Sequence, residues 1–200
     1  MFRASLVIGL LLAGLVCDAP SRAADEAWDH PFRTAMDNEM KLYCTLQDPP
    51  TENDCSKLEK QLGRTLPNAY KKFLLRYGAA HCEAKEEFWP RPKVGDVGPA
   101  WHFSYGWTVF GIGKDTPERL DIVKVRDQFR KNNPEVTKEF LPIYQVTLDA
   151  DIVGLTKGNK LARWSHETNE LEELKEDFDT LLIDSTKTIK SNKDKLKKAK

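Results

Sequence analysis

The sequence predicts an α+β domain with N-terminal helices, a central antiparallel twisted sheet and a closing C-terminal helix. Apolar residues recur at helical spacing up to residue 77, whereas residues 85–115 are dense in glycine, proline and aromatic side chains, which favours strands and turns. Three short strand-like segments and a final helical stripe follow. With 200 residues and 40% hydrophobic content, the chain can bury one core, so we expect one domain.

Three helices are expected in the N-terminal part. The first lies within residues 28–46, where Phe32, Met36, Met40 and Tyr43 are spaced on one helical face. The second starts near Asp54, which is a suitable N-cap, and ends at residue 63.

The third helix is predicted from the segment LGRTLPNAYKKFLLRYGAA, residues 62–80. Proline is favoured in a first helical turn, and glycine closes helices in the left-handed conformation, so Pro67 and Gly78 mark its ends. One face is apolar, at Leu66, Tyr70, Phe73, Leu74 and Tyr77, and the last four of these residues are expected to anchor the helix to the sheet.

Strands are expected at residues 101–103 and 107–112, followed by a helix that ends at Asn133 and Pro134. The segments FLPIYQV, DIVGLTKG and KLARWSH then predict a three-stranded meander. A closing helix is predicted after Thr168 or Asn169 as the cap, because one face is apolar at Leu171, Leu174, Phe178, Leu181 and Leu182.

Residues 1–23 are typical of a secretory signal peptide, with a basic start and an apolar run too short to span a membrane comfortably. Small residues predict cleavage after Ala23, so we expect a periplasmic or secreted protein with no stable membrane span. A lipoprotein linked through Cys17 is disfavoured because Val16 is bulky. The remaining chain divides into an N-terminal helix and loop at 24–53, a main domain at 54–185 and a Lys-rich tail at 186–200.

Charge is distributed unevenly, although the whole chain is neutral. Residues 186–200 contain seven lysines and one aspartate, and are expected to form a solvated tail. Residues 24–185 contain 22 basic and 29 acidic side chains. Phosphate binding requires clustered basic residues, so the acidic body argues against nucleic acid and favours a basic protein partner.

Three cysteines remain after processing, and an oxidising compartment would allow a disulfide among them. Cys44 and Cys55 flank a Pro-rich turn and are our candidate pair, with Cys82 as the rival partner. His81 precedes Cys82, but no metal-ligand spacing accompanies them, so no metal site is predicted.

Three sequence patterns resemble catalytic or ligand-binding motifs, but each lacks a required residue or geometry. In WSHE, consecutive strand residues point to opposite faces, so Ser165 and His166 are not placed as nucleophile and base. FGIGKDT lacks the first glycine and the hydroxyl of a phosphate loop, and DADIVG has Val153 where a calcium loop requires an oxygen ligand. We therefore predict no catalytic residue and no cofactor.

Acidic side chains are the candidate partner-binding residues. Asp149 and Asp151 are expected to form a turn between strands, and the segment after residue 166 is strongly acidic. A solvated face explains such a run, and a surface that steers a basic partner is the functional alternative. The candidates are Asp149, Asp151, Glu167, Glu170, Glu173 and Glu176.

Three segments in order resemble the Smi-one/Knr-four domain of the SUKH superfamily. KLEKQLGRTLPNAYKKFLLRYGAA resembles its opening helix and L-P-x-x-Y-x-x-F-L motif, FLPIYQVTLDADIVGL its Pro-containing strand and turn, and ARWSHE its strand ending in Trp, His and an acid. The similarity covers about residues 56–183. Ala79, Ala80 and Ala150 depart from the glycine or Asn-Gly of the family's turns.

The resemblance implies a non-catalytic α+β domain that acts in bacteria as an immunity protein, binding and neutralising a cognate toxin. Fungal relatives act in cell-wall regulation instead. Together with the export signal, it leads to the expectation of a toxin-binding protein in the periplasm or envelope. Two alternatives stay open, namely a periplasmic hydrolase using His166 and a structural or regulatory envelope protein.

Overall fold

The computed structural model describes residues 31–44, 49–93, 99–136 and 138–198, so the signal peptide, its cleavage site and Cys17 lie outside the described residues. Within these ranges no helix is both long and apolar enough to cross a membrane. The elements in chain order are α1 (Phe32–Ala35), β1 (Met40–Cys44), α2 (Glu52–Leu62), α3 (Asn68–Tyr77), β2 (Ala80–Ala84), β3 (Gly106–Val109), α4 (Ile122–Asn132), β4 (Leu141–Val146), β5 (Ile152–Leu155), β6 (Leu161–Trp164), β7 (Leu171–Glu173) and α5 (Phe178–Lys198).

The seven strands form one antiparallel sheet in which the strand order follows the chain order. This confirms the predicted α+β class, with N-terminal helices, an antiparallel sheet and a C-terminal helix. The meander predicted from FLPIYQV, DIVGLTKG and KLARWSH is also confirmed, as β4, β5 and β6.

Local signals set the ends of α2 and α3, but the prediction of Asp54 as the N-cap of α2 is wrong, because the helix begins at Glu52 and Asp54 lies within its first turn. The N-cap of α2 is Thr51, whose hydroxyl accepts the Asp54 backbone N–H while Asp54 accepts the Thr51 N–H, a reciprocal capping box. Gly63 ends α2 and Gly78 ends α3, both with positive φ. The five residues of the predicted apolar face, which include the four expected anchors, are all buried.

The hydrophobic side chains form two clusters on opposite faces of the sheet. Buried residues of α1, α2, α3 and α5, together with Ile122 at the start of α4, pack with those of β1–β6 in the main core. On the opposite face, Phe129 of α4 packs with Phe140, Ala162 and Trp164 in a smaller core. Alternation in β6, where Leu161 belongs to the first core and Ala162 to the second, shows that the sheet separates the two layers.

Two predicted elements near the N-terminus and the centre are wrong in type. Only Phe32–Ala35 of the first predicted helix is helical, because residues 40–44 form β1 and pair with β2. Residues 101–103, predicted as a strand, belong to a short 3-10 helix. The neighbouring prediction at 107–112 is confirmed in part by β3.

The segment predicted to begin the closing helix forms the edge strand β7 instead. Its carboxylates pair across the hairpin with cations, Glu172 with Arg163 at 3.2 Å and Glu173 with Lys160 at 2.9 Å. Exposed cross-strand ion pairs stabilise a sheet only modestly, but they favour this register over a helix.

The expected caps Thr168 and Asn169 lie in the turn between β6 and β7. Asn169 has φ 59° and accepts the Trp164 indole N–H at 2.9 Å, so its polar side chain stabilises the turn. The helix starts later, where Asp177 accepts the Thr180 backbone N–H at 2.9 Å.

The expectation of a solvated Lys-rich tail is wrong for residues 186–198, which continue α5. The Lys193 side chain is 0% exposed, and its ammonium contacts Asp37 and, at 2.6 Å, Glu39. Lys197 also reaches Glu39, at 2.5 Å. Burial lowers the pKa of Lys193, but its two carboxylate partners outweigh burial and raise the pKa above its ordinary value.

The candidate disulfide between Cys44 and Cys55 is not formed, and no disulfide joins either of them to Cys82. Cys44 ends an edge strand, whereas Cys55 is buried in the helical layer at 1% exposure. Burial raises the pKa of the Cys55 thiol to about 11, so this thiol is protonated and acts as a small apolar side chain.

Candidate functional site

Two turns meet at one end of the sheet and bring together four of the predicted partner-binding residues. The β4–β5 turn contributes Asp149 and Asp151, and the β6–β7 turn contributes Glu167 and Glu170. They are neighbours because β5 pairs with β6 in a register that places Ile152 opposite Trp164. We call these four residues the acidic end.

Asp151 and His166 connect the two turns directly. One carboxylate oxygen of Asp151 lies 2.8 Å from His166 Nδ1 and accepts the His166 backbone N–H at 3.0 Å. The other carboxylate oxygen lies 3.9 Å from Arg163 Nε. The Asp151 backbone N–H is itself donated to Asp149 at 3.0 Å, so both turns are stabilised by aspartate side chains.

The electrostatics of Asp151 follow from these contacts. Partial burial raises the pKa of its carboxyl, but the hydrogen bonds from the ring and backbone of His166 outweigh burial, so the pKa lies below its ordinary value. Asp151 is therefore ionised at neutral pH. Its side chain is 19% exposed and that of His166 is 44% exposed, so the pair lies at the surface.

Glu173 and Glu176 are not part of the acidic end. Glu173 lies at the other end of β7 and is paired with Lys160. Glu176 lies in the connection to α5 and is exposed. The structure thus groups four of the six predicted residues and separates two.

The Asp151–His166 pair has the geometry of a general base and the carboxylate that orients it. The pair lacks a nucleophile. Within the described portion of the chain, the side chain that His166 contacts is the carboxylate of Asp151, and not a hydroxyl or a thiol. The Ser165 hydroxyl accepts the Thr168 backbone N–H at 3.4 Å and belongs to the turn. The arrangement can bind cations and hydrogen-bond donors, and it lacks the contacts of a catalytic triad.

A second polar cluster, which the sequence pattern did not single out, lies on β1–β3. His81 Nδ1 is 2.9 Å from the Thr108 hydroxyl, and Glu83 accepts from the Tyr43 hydroxyl at 3.3 Å and pairs with Arg91 at 2.9 Å. Burial raises the pKa of Glu83, but its partners His81 and Arg91 outweigh burial and lower it. The alternation His81, Cys82, Glu83 was the available signal, since it places two polar side chains on one face of a strand.

Metal coordination is not supported by the side-chain geometry where it is described. Across residues 31–44, 49–93, 99–136 and 138–198, no group of three His, Cys, Asp or Glu side chains comes together in a way that could hold an ion.

Comparison with known proteins identifies the domain. The SMI1 / KNR4 family (SUKH-1) matches residues 49–184, which is more than half of the chain. No curated protein matches this chain. Among solved structures, the chain is similar to a crystal structure of a protein from Pseudomonas syringae pv. tomato, with 16% identity, coverage of 68% of this chain and 78% of that chain, and a TM-score of 0.39. By the family match over residues 49–184, the chain belongs to the SMI1 / KNR4 family (SUKH-1).

Proposed function

We propose that this chain is an exported, non-catalytic immunity protein that binds and neutralises a cognate protein toxin in the periplasm or envelope. Membership of the SUKH-1 family is the observation that carries the proposal. The signal-like pattern of residues 1–23 supports export.

The partner surface we propose is the acidic end. Asp149, Glu167 and Glu170 are exposed, and Asp151 is held in its ionised form by His166. A cluster of like charges raises the rate at which an oppositely charged protein associates. This effect becomes weaker as the salt concentration rises, because salt screens the charges. A basic toxin surface is therefore the complementary partner.

The test uses the product of a toxin-like gene adjacent to this one, with its affinity measured by isothermal titration calorimetry at two salt concentrations. Removing two charges in Glu167→Gln with Glu170→Gln should weaken binding by roughly tenfold, with a smaller salt dependence. The matched control is Glu135→Gln with Glu173→Gln, which removes two exposed charges away from the acidic end. Absent binding, or equal loss in both double variants, would contradict the proposed surface.

The Asp151–His166 contact favours one second candidate, a periplasmic hydrolase that uses His166 as its base. Hydrolysis of p-nitrophenyl acetate by the purified protein, measured against His166→Ala, decides this candidate. Equal rates for the two proteins eliminate His166 as a catalytic residue.

A structural or regulatory envelope role differs from both, because gene deletion should then change cell shape or envelope integrity in the absence of any toxin.

A further inference from the structure

A groove runs between α4 and the end of the sheet that carries the acidic end. It has a volume of about 700 Å³. Its apolar lining includes Phe110, Phe129, Ile152 and Trp164, and its polar lining includes Arg119, Lys124, Lys131 and Gln145. We call it the α4 groove.

The charge of the α4 groove is opposite to that of the acidic body. Helix α4 carries four basic side chains and one acidic side chain. The acidic one, Asp127, is paired with Arg126 at 2.7 Å, and Glu118 lies 3.9 Å from Lys124. Arg119 and Lys131 have no carboxylate partner within the described ranges, so the groove combines an apolar floor with uncompensated positive charge.

An acidic segment with an apolar tip lies beside this groove on the same molecule. Leu148, in the β4–β5 turn, is 56% exposed, the largest value for a bulky apolar residue in the described chain. It is followed by Asp149 and Asp151. Leu148 also has φ 60°, a left-handed conformation that suits glycine or asparagine and strains a leucine. The turn therefore presents an apolar side chain to solvent at a conformational cost.

The turn and the groove form one continuous patch. Gln145 lines the groove and donates a hydrogen bond to the Asp149 carbonyl at 2.7 Å, while Ile152, which follows the turn, is part of the groove lining. A two-fold axis beside such a patch places the turn of each copy in the groove of the other, which is the arrangement of a closed, isologous dimer.

We propose that the chain self-associates as a two-fold dimer in which Leu148 inserts into the partner copy's α4 groove and Asp149 faces Arg119 and Lys131. The occupant is a second copy because the turn supplies both the apolar anchor and the negative charge that the groove requires. One consequence rests on the proposed function. Since the dimer covers Asp149, self-association competes with toxin binding at the acidic end.

Sedimentation velocity of the processed full chain, without any partner, tests the dimer over a wide range of protein concentration at low and high salt. We expect a concentration-dependent dimer that weakens as salt rises. Leu148→Asn should weaken self-association by roughly tenfold or more, because the two-fold dimer loses the burial of two leucines, one from each copy. Asparagine tolerates the left-handed conformation, so thermal unfolding of this variant should occur at an equal or higher temperature. Leu171→Asn is the matched control, because Leu171, at 37% exposure, is the other leucine classed as exposed among the described residues.

A mixing experiment distinguishes this dimer from other modes of association. Leu148→Asn removes the anchor and keeps the groove, whereas Arg119→Glu with Lys131→Glu removes the groove charge and keeps the anchor. Neither variant should dimerise alone at the concentration where wild type does. Their mixture should associate more strongly than either variant alone and more weakly than wild type, because one of the two anchor–groove contacts is then intact.

Three outcomes overturn the proposal: a wild type that stays monomeric over the whole concentration range, variants that associate as strongly as wild type, and a mixture that associates no more strongly than either variant alone. Because no toxin is present in these measurements, failure of the dimer and failure of the proposed function are separate results.

Discussion

We expect replacement of Lys193 by methionine to destabilise the protein more than the same replacement of any exposed or half-exposed lysine on α5. Its ammonium has no contact with solvent and is held by Asp37 and Glu39. Methionine preserves much of the volume, so the loss is mainly electrostatic. Removing one partner of a buried ion pair costs about 3–5 kcal/mol, because the remaining charge is left without compensation.

The lower end of this range applies to Lys193→Met. The carboxylates of Asp37 and Glu39 are 23% and 17% exposed, so water reaches them in part, and Lys197 still contacts Glu39. We therefore expect a loss of about 3 kcal/mol in the free energy of unfolding. For a domain of this size, that loss lowers the melting temperature by about 6–12 °C.

Urea unfolding followed by circular dichroism measures this loss. Lys190→Met is the matched control, since Lys190 is exposed on the same helix and should change stability by less than about 0.5 kcal/mol. Neutralising all three groups, as Lys193→Met with Asp37→Asn and Glu39→Gln, should restore part of the loss. If Lys193→Met is as stable as Lys190→Met, the reasoning about α5 is refuted.

Three further changes test other parts of the fold. Phe73→Ala removes a ring that is 0% exposed and should cost about 3–5 kcal/mol in urea unfolding. Arg64→Ala leaves the carbonyls of Glu139 and Thr156 without its guanidinium and should cost about 1–3 kcal/mol, which Arg64→Lys should not restore because lysine lacks the planar fork. The folded pKa of Asp151 lies below its ordinary value, so its stabilisation is present above that ordinary value and is lost as pH falls through the folded pKa. Asp151→Asn should therefore show a flatter decline of melting temperature between about pH 5 and pH 2.

The sequence predicted best those elements whose ends are encoded by neighbouring residues. Pro67 and Gly78 delimit α3, and Gly63 ends α2, because capping acts within one turn of chain. In contrast, residues 40–44 carry a helical spacing of apolar side chains and still form a strand, since their partner β2 lies about 40 residues away. The local spacing of apolar residues carries no information about a strand partner that is so distant in the chain.

The candidate site was predictable in part. Once β5 and β6 are placed as a hairpin, Ile152 faces Trp164, and the same register places Asp151 opposite Ser165, so that His166, one residue further on, comes close to Asp151. The separation of Glu173 from the acidic end depended on β7, which the pattern of leucines presented as a helix. Its cross-strand partner Lys160 was the overlooked signal.

The Lys-rich segment was hidden by its composition. Leu182, Ile189 and Leu196 recur every seven residues and continue one helical face beyond residue 184, where the family match ends. Lys193 occupies the same face, so a charged residue interrupts the apolar pattern. Its burial requires Asp37 and Glu39, which are more than 150 residues away in the chain.

Some of the charged side chains of this protein therefore pair with one another within the fold. Two of the seven lysines in residues 186–200 neutralise Asp37 and Glu39 and hold α5 against the α1–β1 connection. They do not offset the carboxylates at the acidic end, where Glu167 and Glu170 have no cation partner within the described residues. Overall neutrality of the sequence thus coexists with a locally negative surface, and it is this local field, rather than the net charge, that an approaching basic protein meets.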